Sequence, residues 1–311
     1  MVFSRTMLVI HGIALLCQTA MSTQRLAFTR DEDELVISAA INSSHAELGY
    51  AIGIDIEHGH TLVIDTVLTA EATDLSPHPV VFIVKQEEVI DHWHLPSRNG
   101  VKSNFSSRTL CPPADGRQSM DILLTVSTMS KMWIPFTVVL RRARYLISPE
   151  QPSIPITVSP TSPWVFRLEL SENLRYLVKL RNMSTSVCSV VTVRPDNNAC
   201  PLPHMENEMV FGQRAKHQVM LEKAAIHVTR DLFPAGTNAI NIFIIAKMDD
   251  SGCYPNTMEV AHGEERKVDL QLSVEVVTDD VLMSVFSVLG IYVGGGILIV
   301  LLHCSLSHRD R

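Results

Sequence analysis

Cysteine is the residue type whose spacing in this chain could support chemistry. Cys188 and Cys200 bracket the stretch SVCSVVTVRPDNNACPLP, in which a β-branched run ends at a polar turn. Cys111 and Cys253 lie on either side of that stretch. Four thiols could form two disulfides in an oxidising compartment, or they could hold one zinc ion. No C-x-x-C or H-x-x-x-H spacing accompanies them, which favours disulfides.

Two apolar segments indicate the compartment. Residues 1–22 are typical of a secretory signal peptide, with a basic start, an apolar core and small residues at the cleavage positions. An uncleaved anchor is the alternative. Residues 281–303 carry no charge and are long enough to cross a bilayer, and arginines follow them in the tail, 304–311. The positive-inside rule therefore predicts a type I membrane protein, located in the plasma membrane or the lysosomal membrane, with residues 23–280 outside the cytosol.

Three sequons agree with that topology. Asn42, Asn104 and Asn182 each begin an N-x-S motif, and all three lie in the region predicted to face away from the cytosol. We therefore expect N-linked glycans at these positions.

Two groups of cations could contact a polyanion. The first group is Arg141, Arg142 and Arg144, at the end of the first half. The second is Arg175, Lys179 and Arg181, which we predict to share one face of an alternating strand. Residues 23–280 as a whole are acidic, with 23 Lys and Arg against 32 Asp and Glu, so a general phosphate-binding surface is not expected. An ordinary solvated strand face is the alternative for the second group. The same region holds ten histidines, whose protonation would bring a net charge of −9 to about +1. We expect any polyanion binding to strengthen on acidification.

Motifs of catalysis are not found. The sequence contains no nucleophile elbow, zinc-protease, Walker or dinucleotide-binding motif. His58-Gly59-His60 and His92-Trp93-His94 could each present paired imidazoles on one strand face, but histidines two residues apart are usually solvated surface, and we interpret them so. We predict that the chain is not an enzyme and has no catalytic, cofactor or metal site.

The elements that carry these residues have the pattern of β-strands. Short β-branched runs separated by polar or Gly/Pro breaks fill both halves of the region outside the membrane, and no long amphipathic helical pattern competes. A segment with five prolines, residues 148–163, divides the halves. We predict two jelly-roll-like β-sandwich domains, 23–147 and 164–280, joined by this linker and followed by one transmembrane helix. A single domain with a long loop and an edge strand is the alternative.

The most distinctive pattern runs from Asn182 to His303. Val187-Cys188-Ser189-Val190-Val191 is followed by Lys223-Ala224-Ala225-Ile226, Phe233-Pro234 and a glycine-rich span. Arg108-Thr109-Leu110-Cys111-Pro112 adds a shorter match upstream. Together these residues resemble the SID transmembrane family, the systemic RNA interference defective proteins and their cholesterol-uptake relatives.

The resemblance implies a glycosylated, disulfide-linked pair of β-sandwiches that forms homo-oligomers and binds double-stranded RNA. In the family this ectodomain lies over a multi-span membrane domain implicated in RNA transport and in cholesterol handling. The chain ends eight residues after its predicted span, so we expect a fragment, a short isoform or an incomplete gene model that cannot transport alone. Of the three possible disulfide patterns, the resemblance favours Cys111 with Cys200 and Cys188 with Cys253, whereas a local Cys188–Cys200 bridge is the alternative.

Three functions compete. The first is the RNA-binding and assembly ectodomain of a SID-type transporter. The second is a single-pass adhesion or receptor-like glycoprotein with a protein partner, which the acidic balance favours. The third is a membrane protein that handles cholesterol and contacts membrane lipid, which the resemblance permits.

Overall fold

The computed structural model describes residues 9–11, 23–69, 78–87, 89–96, 103–112, 118–172, 174–184, 187–196, 202, 215–250, 253 and 266–277. Within them the chain is all-β apart from a 3-10 turn at Arg230–Leu232, which confirms the predicted class. None of these residues forms a helix with the length and hydrophobicity that a membrane span requires. The predicted span, 281–303, and the tail lie outside the described residues. So does the predicted signal peptide apart from Val9–His11.

The first sandwich consists of two sheets. Their strands are β1 (Val9–His11), β2 (Thr23–Phe28), β3 (Glu34–Ile41), β4 (Glu47–Asp55), β5 (His60–Leu68), β6 (Val80–Gln86), β7 (Val89–Leu95), β8 (Phe105–Thr109), β9 (Ser119–Thr128) and β10 (Ile134–Arg144). One sheet has the order β1-β3-β10-β5-β8 and the other β2-β4-β9-β6-β7. Only β1–β3 and β2–β4 are parallel; the other described pairings of this sandwich are antiparallel.

Period-2 alternation builds the core between these sheets. Phe136 on β10, Phe82 on β6 and Trp93 on β7 are buried between them. The Phe82 ring stacks on Trp93 at 5.8 Å and meets Phe136 edge-on at 6.0 Å. The Trp93 indole N–H donates to Thr66 Oγ1 at 3.0 Å, so the one polar atom of this aromatic cluster is satisfied.

The second sandwich also has two sheets. Its strands are β11 (Leu146–Ile147), β12 (Ile154–Val158), β13 (Trp164–Glu169), β14 (Arg175–Asn182), β15 (Ser189–Pro195), β16 (Lys216–Met220), β17 (Lys223–Val228), β18 (Ala239–Ala246) and β19 (Val268–Val277). The sheet orders are β11-β13-β18-β15-β16 and β12-β19-β14-β17. Both sandwiches belong to one compact unit, Met1–Glu275.

The proline-rich segment is not only a linker. Its residues Ile154–Val158 form β12, the edge strand that pairs with β19, and Pro155 lies opposite Gln271 in that ladder. An edge strand tolerates proline because one side of its backbone needs no ladder partner. Residues 154–158, within the segment predicted as a linker, are thus an edge strand of the second sandwich.

Strand β18 is buried on both faces; its sequence AINIFIIA is apolar except for Asn241, which is itself buried. One face lies in the core of the second sandwich. On the other, Tyr145 and Leu202 pack in a cluster with Phe243 and Ile245. The Arg167 N–H donates to the Tyr145 carbonyl at 2.7 Å, so the end of the first sandwich is bound to the second.

A disulfide joins Cys188, just before β15, to Cys253, the pair favoured by the family resemblance. Cys111 is also disulfide-bonded, whereas Cys200 lies outside the described residues. Leu202, two residues beyond Cys200, lines a cavity of about 10 Å³ together with Cys111. Leu202 thus lies beside Cys111 of the first sandwich.

Candidate polyanion-binding face

Strands β14 and β17 present cations on the solvent face of their sheet. On β14 the residues Tyr176, Val178 and Leu180 are buried, and the residues between them point outward. This confirms the predicted alternation that puts Arg175, Lys179 and Arg181 on one face. Strand β17, the last of its sheet, alternates in the same way.

The register of the β14–β17 ladder adds two residues to this group. Arg181 lies opposite Lys223, Lys179 opposite Ala225, and Leu177 opposite His227. We call Arg175, Lys179, Arg181, Lys223 and His227 the basic face. Lys223 and His227 could not be assigned to this face from the sequence, because strand pairing between distant segments is not visible in the pattern of either strand.

Carboxylates lie near two of the cations of the basic face, Lys179 in the middle of β14 and Arg175 at its start. Lys179 Nζ forms an ion pair with Glu275 Oε2 at 2.5 Å. Near Arg175, a hydrogen bond with Thr229 holds the pKa of the Asp231 carboxyl below its usual value, with smaller contributions from that arginine and from Lys216.

Arg181 and Lys223 form the other end. Both are exposed, and neither has an ion-pair partner within the described part of the chain. Glu222 occupies the turn directly before Lys223. Two like charges directly opposite each other in a ladder destabilise the sheet, so this end offers uncompensated positive charge to an anion.

A cleft adjoins the same sheet where it meets the first sandwich. Its volume is about 600 Å³, and its lining residues are Arg141, Pro155, Ile156, Thr157, Trp164, Met183, Asp269, Leu270 and Gln271. Trp164 stacks on Phe166 at 5.5 Å and lies 5.6 Å from the Arg141 guanidinium. The indole N–H donates to the Thr157 carbonyl at 2.9 Å. These contacts make Trp164 part of the junction rather than a free platform for stacking a base.

The structure does not bring Arg141, Arg142 and Arg144 to one surface. Arg141 Nε lies 2.8 Å from Asp65 Oδ2 while its guanidinium covers Trp164, so this residue connects the two sandwiches. Arg144 is exposed at the end of β10, and its side chain has no hydrogen-bond or ion-pair partner within the described residues.

Arg142 is enclosed by backbone. Its guanidinium donates to the carbonyls of Asp55, Glu32, Phe28 and Thr29, and it lies 4.0 Å over the Phe28 ring. Burial lowers the pKa of this guanidinium, and the carboxylates of Asp55, Glu32 and Glu57 oppose that shift. Arg142 therefore ties β2 and the turn after it to β10.

The histidine pairs have simple structural settings. Gly59, between His58 and His60, has a φ of 80° and accepts hydrogen bonds from the Tyr145 and Leu146 N–H groups at 2.8 and 2.9 Å. This segment thus forms a turn that holds the sandwich junction. His92 and His94 are both exposed on β7. In the described residues, no three His, Cys, Asp or Glu side chains converge as a metal site would require.

The sequons differ in exposure. Asn42 is only 7 % exposed, and its Oδ1 accepts from the Ser44 and His45 N–H groups. Asn104 and Asn182 are partly exposed. Asn182 Nδ2 donates one proton to the Leu221 carbonyl at 2.8 Å, in the turn that leads to Lys223.

Comparisons with known proteins give no family. No protein-family model matches the chain, and no curated protein matches it. Structural matches include the CUB1-EGF-CUB2 domains of rat MASP-1, with 11 % identity, a TM-score of 0.22 and coverage of 81 % of this chain and 100 % of that one. The broad bean stain virus structure matches with 9 % identity, a TM-score of 0.24 and coverage of 72 % and 77 %.

A third match is the A223 turret protein of Sulfolobus turreted icosahedral virus, with 8 % identity, a TM-score of 0.19 and coverage of 79 % of this chain and 98 % of that one. All three TM-scores lie below 0.5. These likenesses therefore carry no argument about what the chain does.

Proposed function

We propose that this chain is the membrane-anchored ectodomain of a SID-type double-stranded RNA transporter and that it captures RNA on the basic face. The resemblance of residues 182–303 to the SID family supports the substrate. The observation that carries the location is the Arg181–Lys223 pair, two exposed cations directly opposite each other in the β14–β17 ladder.

Phosphate is the ligand that such a pair favours. Lysine and arginine side chains bind a nucleic acid backbone by neutralising phosphates and releasing counterions, which makes the affinity independent of sequence and dependent on salt. A phosphate between Arg181 and Lys223 would offset the repulsion that the two side chains exert on each other. The neighbouring Lys179 and His227 extend the contact along the sheet.

The shape of the basic face suits a duplex. From Arg175 to Arg181 the strand extends about 20 Å, at about 3.3 Å per residue, and its side chains project from a rigid ladder. None of the outward residues of β14 and β17 is phenylalanine, tyrosine or tryptophan, and His227 is the one aromatic ring among them, so this part of the structure offers little platform for stacking unpaired bases. Double-stranded RNA is recognised instead by shape and by its backbone.

The test measures RNA retention by the full chain. We expect long duplex RNA to bind, and we expect the double substitution Arg181→Ala with Lys223→Ala to lower the slope of log affinity against log salt by about two. Arg144→Ala is the matched control, since it removes an exposed cation away from the basic face. The proposal fails if the wild-type chain does not retain RNA at low salt, or if both variants retain it equally.

The acidic balance of residues 23–280 favours a second candidate, an adhesion or receptor-like glycoprotein whose partner is a protein. A wild-type chain that binds a protein ligand in a salt-tolerant manner and does not retain RNA would establish that function in place of the first. Homo-oligomer formation and cholesterol handling are further predictions from the resemblance.

A further inference from the structure

The β9–β10 loop, residues 129–133, exposes three large apolar side chains at one end of the first sandwich. Met129 is 80 % exposed, Met132 51 % and Trp133 56 %. Single exposed apolar residues are normal on protein surfaces. Three within five residues, on a loop that protrudes between two strands, form a concentrated apolar tip instead.

The backbone of this loop is fixed. The Ser43 N–H donates to the Ser130 carbonyl at 2.5 Å, and the Ser130 N–H donates to Thr128 Oγ1 at 3.2 Å. Ser130 Oγ in turn accepts the Met132 N–H at 3.2 Å. The Trp133 ring leans on His45 with a centroid distance of 5.4 Å. The apolar side chains are therefore held away from the core by ordered hydrogen bonds.

The loop itself carries one formal charge, that of Lys131, and it is positive. The adjoining described residues 42–46, which are joined to this end of β9 and to the loop by backbone hydrogen bonds, contain no Lys, Arg, Asp or Glu. The exposed carboxylate of Glu47 follows on β4, opposite Ser127. The adjacent Asn42 is 7 % exposed, so we expect no glycan there to shield the loop.

We propose that residues 129–133 insert into the headgroup region of an anionic lipid bilayer. Tryptophan and methionine side chains partition into the boundary between headgroups and acyl chains, and a lysine beside them pairs with lipid phosphates or carboxylates. A protruding tip with one cation matches a flat anionic lipid surface. A lipid surface presents anionic headgroups directly above apolar chains, which suits a tip whose one charge and apolar side chains lie within the same five residues.

The experiment uses the full chain in nanodiscs of neutral phosphatidylcholine, which the predicted span would anchor. Vesicles of phosphatidylcholine, with or without phosphatidylserine, are added and floated on a density gradient. We expect the discs to float with the phosphatidylserine vesicles. The double substitution Met132→Ser with Trp133→Ser should weaken binding by about tenfold or more, because two side chains lose apolar burial.

Two further variants complete the test. Lys131→Glu should abolish the preference for phosphatidylserine. Ile90→Ser, which changes a side chain 57 % exposed on β7, should leave flotation unchanged. Equal flotation of all variants, or no flotation of the wild type, would overturn the proposal. The proposal would also be overturned if the nanodiscs associated with one another in the absence of vesicles and the double variant abolished that association. The loop would then bind a second copy of the chain.

Discussion

Arg181 and Lys223 lie directly opposite each other in the β14–β17 ladder, although 41 residues separate them in the chain. The alternation of each strand sends both side chains to solvent, and the register makes them neighbours. Their Cβ atoms are therefore about 5 Å apart, the spacing of an antiparallel cross-strand pair. At that distance the two charges repel each other, which identifies this end of the sheet as a place where function and stability conflict.

The substitution Lys223→Glu should separate these two effects. It converts a like-charge pair into an opposite-charge pair, so we expect the free energy of unfolding to rise by about 0.2–1 kcal/mol. The same change should weaken the binding of duplex RNA, because one phosphate contact becomes repulsive. Urea unfolding and RNA retention measure the two effects on the same protein.

Lys223→Gln is the control for this prediction, since it removes the repulsion without adding a negative charge. Its stability and RNA affinity should both fall between those of the wild type and Lys223→Glu. A Glu variant that is less stable than the wild type, or one that binds RNA as well, would contradict the assignment of this pair.

Arg142 should matter for stability and not for RNA. Its guanidinium donates to four backbone carbonyls and covers Phe28, so Arg142→Ala leaves those acceptors without their donor. We expect a loss of about 2–3 kcal/mol in the free energy of unfolding, with unchanged RNA retention when the protein is folded. Arg142→Lys should recover only part of the loss, since an ammonium cannot reproduce the planar fork.

Arg144→Ala is the matched change two residues away, and it should shift the free energy of unfolding by no more than about 0.5 kcal/mol. If Arg142→Ala weakened RNA binding without lowering stability, Arg142 would be a contact residue, as the sequence alone suggested.

The contrast between these arginines shows what the sequence could predict. Alternation on a single strand is a local property, and it correctly placed Arg175, Lys179 and Arg181 on one face.

What the sequence could not predict depends on partners that are distant in the chain. Arg141 and Arg142 are adjacent residues, but one contacts Asp65 and Trp164 and the other the backbone around β2. The inclusion of Lys223 in the basic face required the register of β14 with β17. Residues 154–158 looked like linker because proline content describes backbone preference and does not show that β19 is available as a partner.

Tyr145 should make the stability of the fold sensitive to alkaline pH. Its hydroxyl donates to Asn241 Oδ1 at 2.9 Å, and Asn241 Nδ2 donates to Asp196 Oδ1 at 3.3 Å. Burial raises the pKa of Tyr145, the negative charge of Asp196 adds to this shift, and Arg167 partly offsets it. The folded chain therefore keeps the phenol proton where the unfolded chain, with a tyrosine pKa of about 10, loses it.

The contribution of the protonated Tyr145 to the free energy of unfolding is therefore fully present below about pH 10, and it declines as the pH rises above that value. Tyr145→Phe should lower the free energy of unfolding by about 1–2 kcal/mol at neutral pH, because Asn241 loses its donor, and it should flatten the alkaline decline. Urea unfolding across this pH range measures both. Burial also raises the pKa of Tyr50, so Tyr50→Phe should flatten the remaining slope, and an unchanged slope in both variants would contradict this assignment.

Glycan occupancy should differ among the three sequons. The Asn42 side chain is buried, and its Oδ1 accepts the Ser44 and His45 N–H groups at 3.1 and 3.0 Å. A glycan on its Nδ2 would have to leave the protein through packed residues, so we expect Asn42 to be unmodified. Asn104 and Asn182 are partly exposed and should carry glycans. Glycopeptide mapping of the secreted or membrane-bound chain decides this, and a fully occupied Asn42 would show that its turn differs from the one described.

A glycan on Asn182 should also limit access of RNA to the basic face. Its Nδ2 donates to the Leu221 carbonyl at 2.8 Å, and Leu221 and Glu222 lead into Lys223. Asn182 follows Arg181 directly in the chain, so a glycan on it begins at the same end of the sheet as the Arg181–Lys223 pair. Trimming high-mannose glycans to a single sugar should raise the affinity for long duplex RNA, whereas trimming a chain that carries Asn182→Gln should change nothing. If trimming affects both chains equally, the effect arises at another glycan, and Asn104→Gln would then identify it.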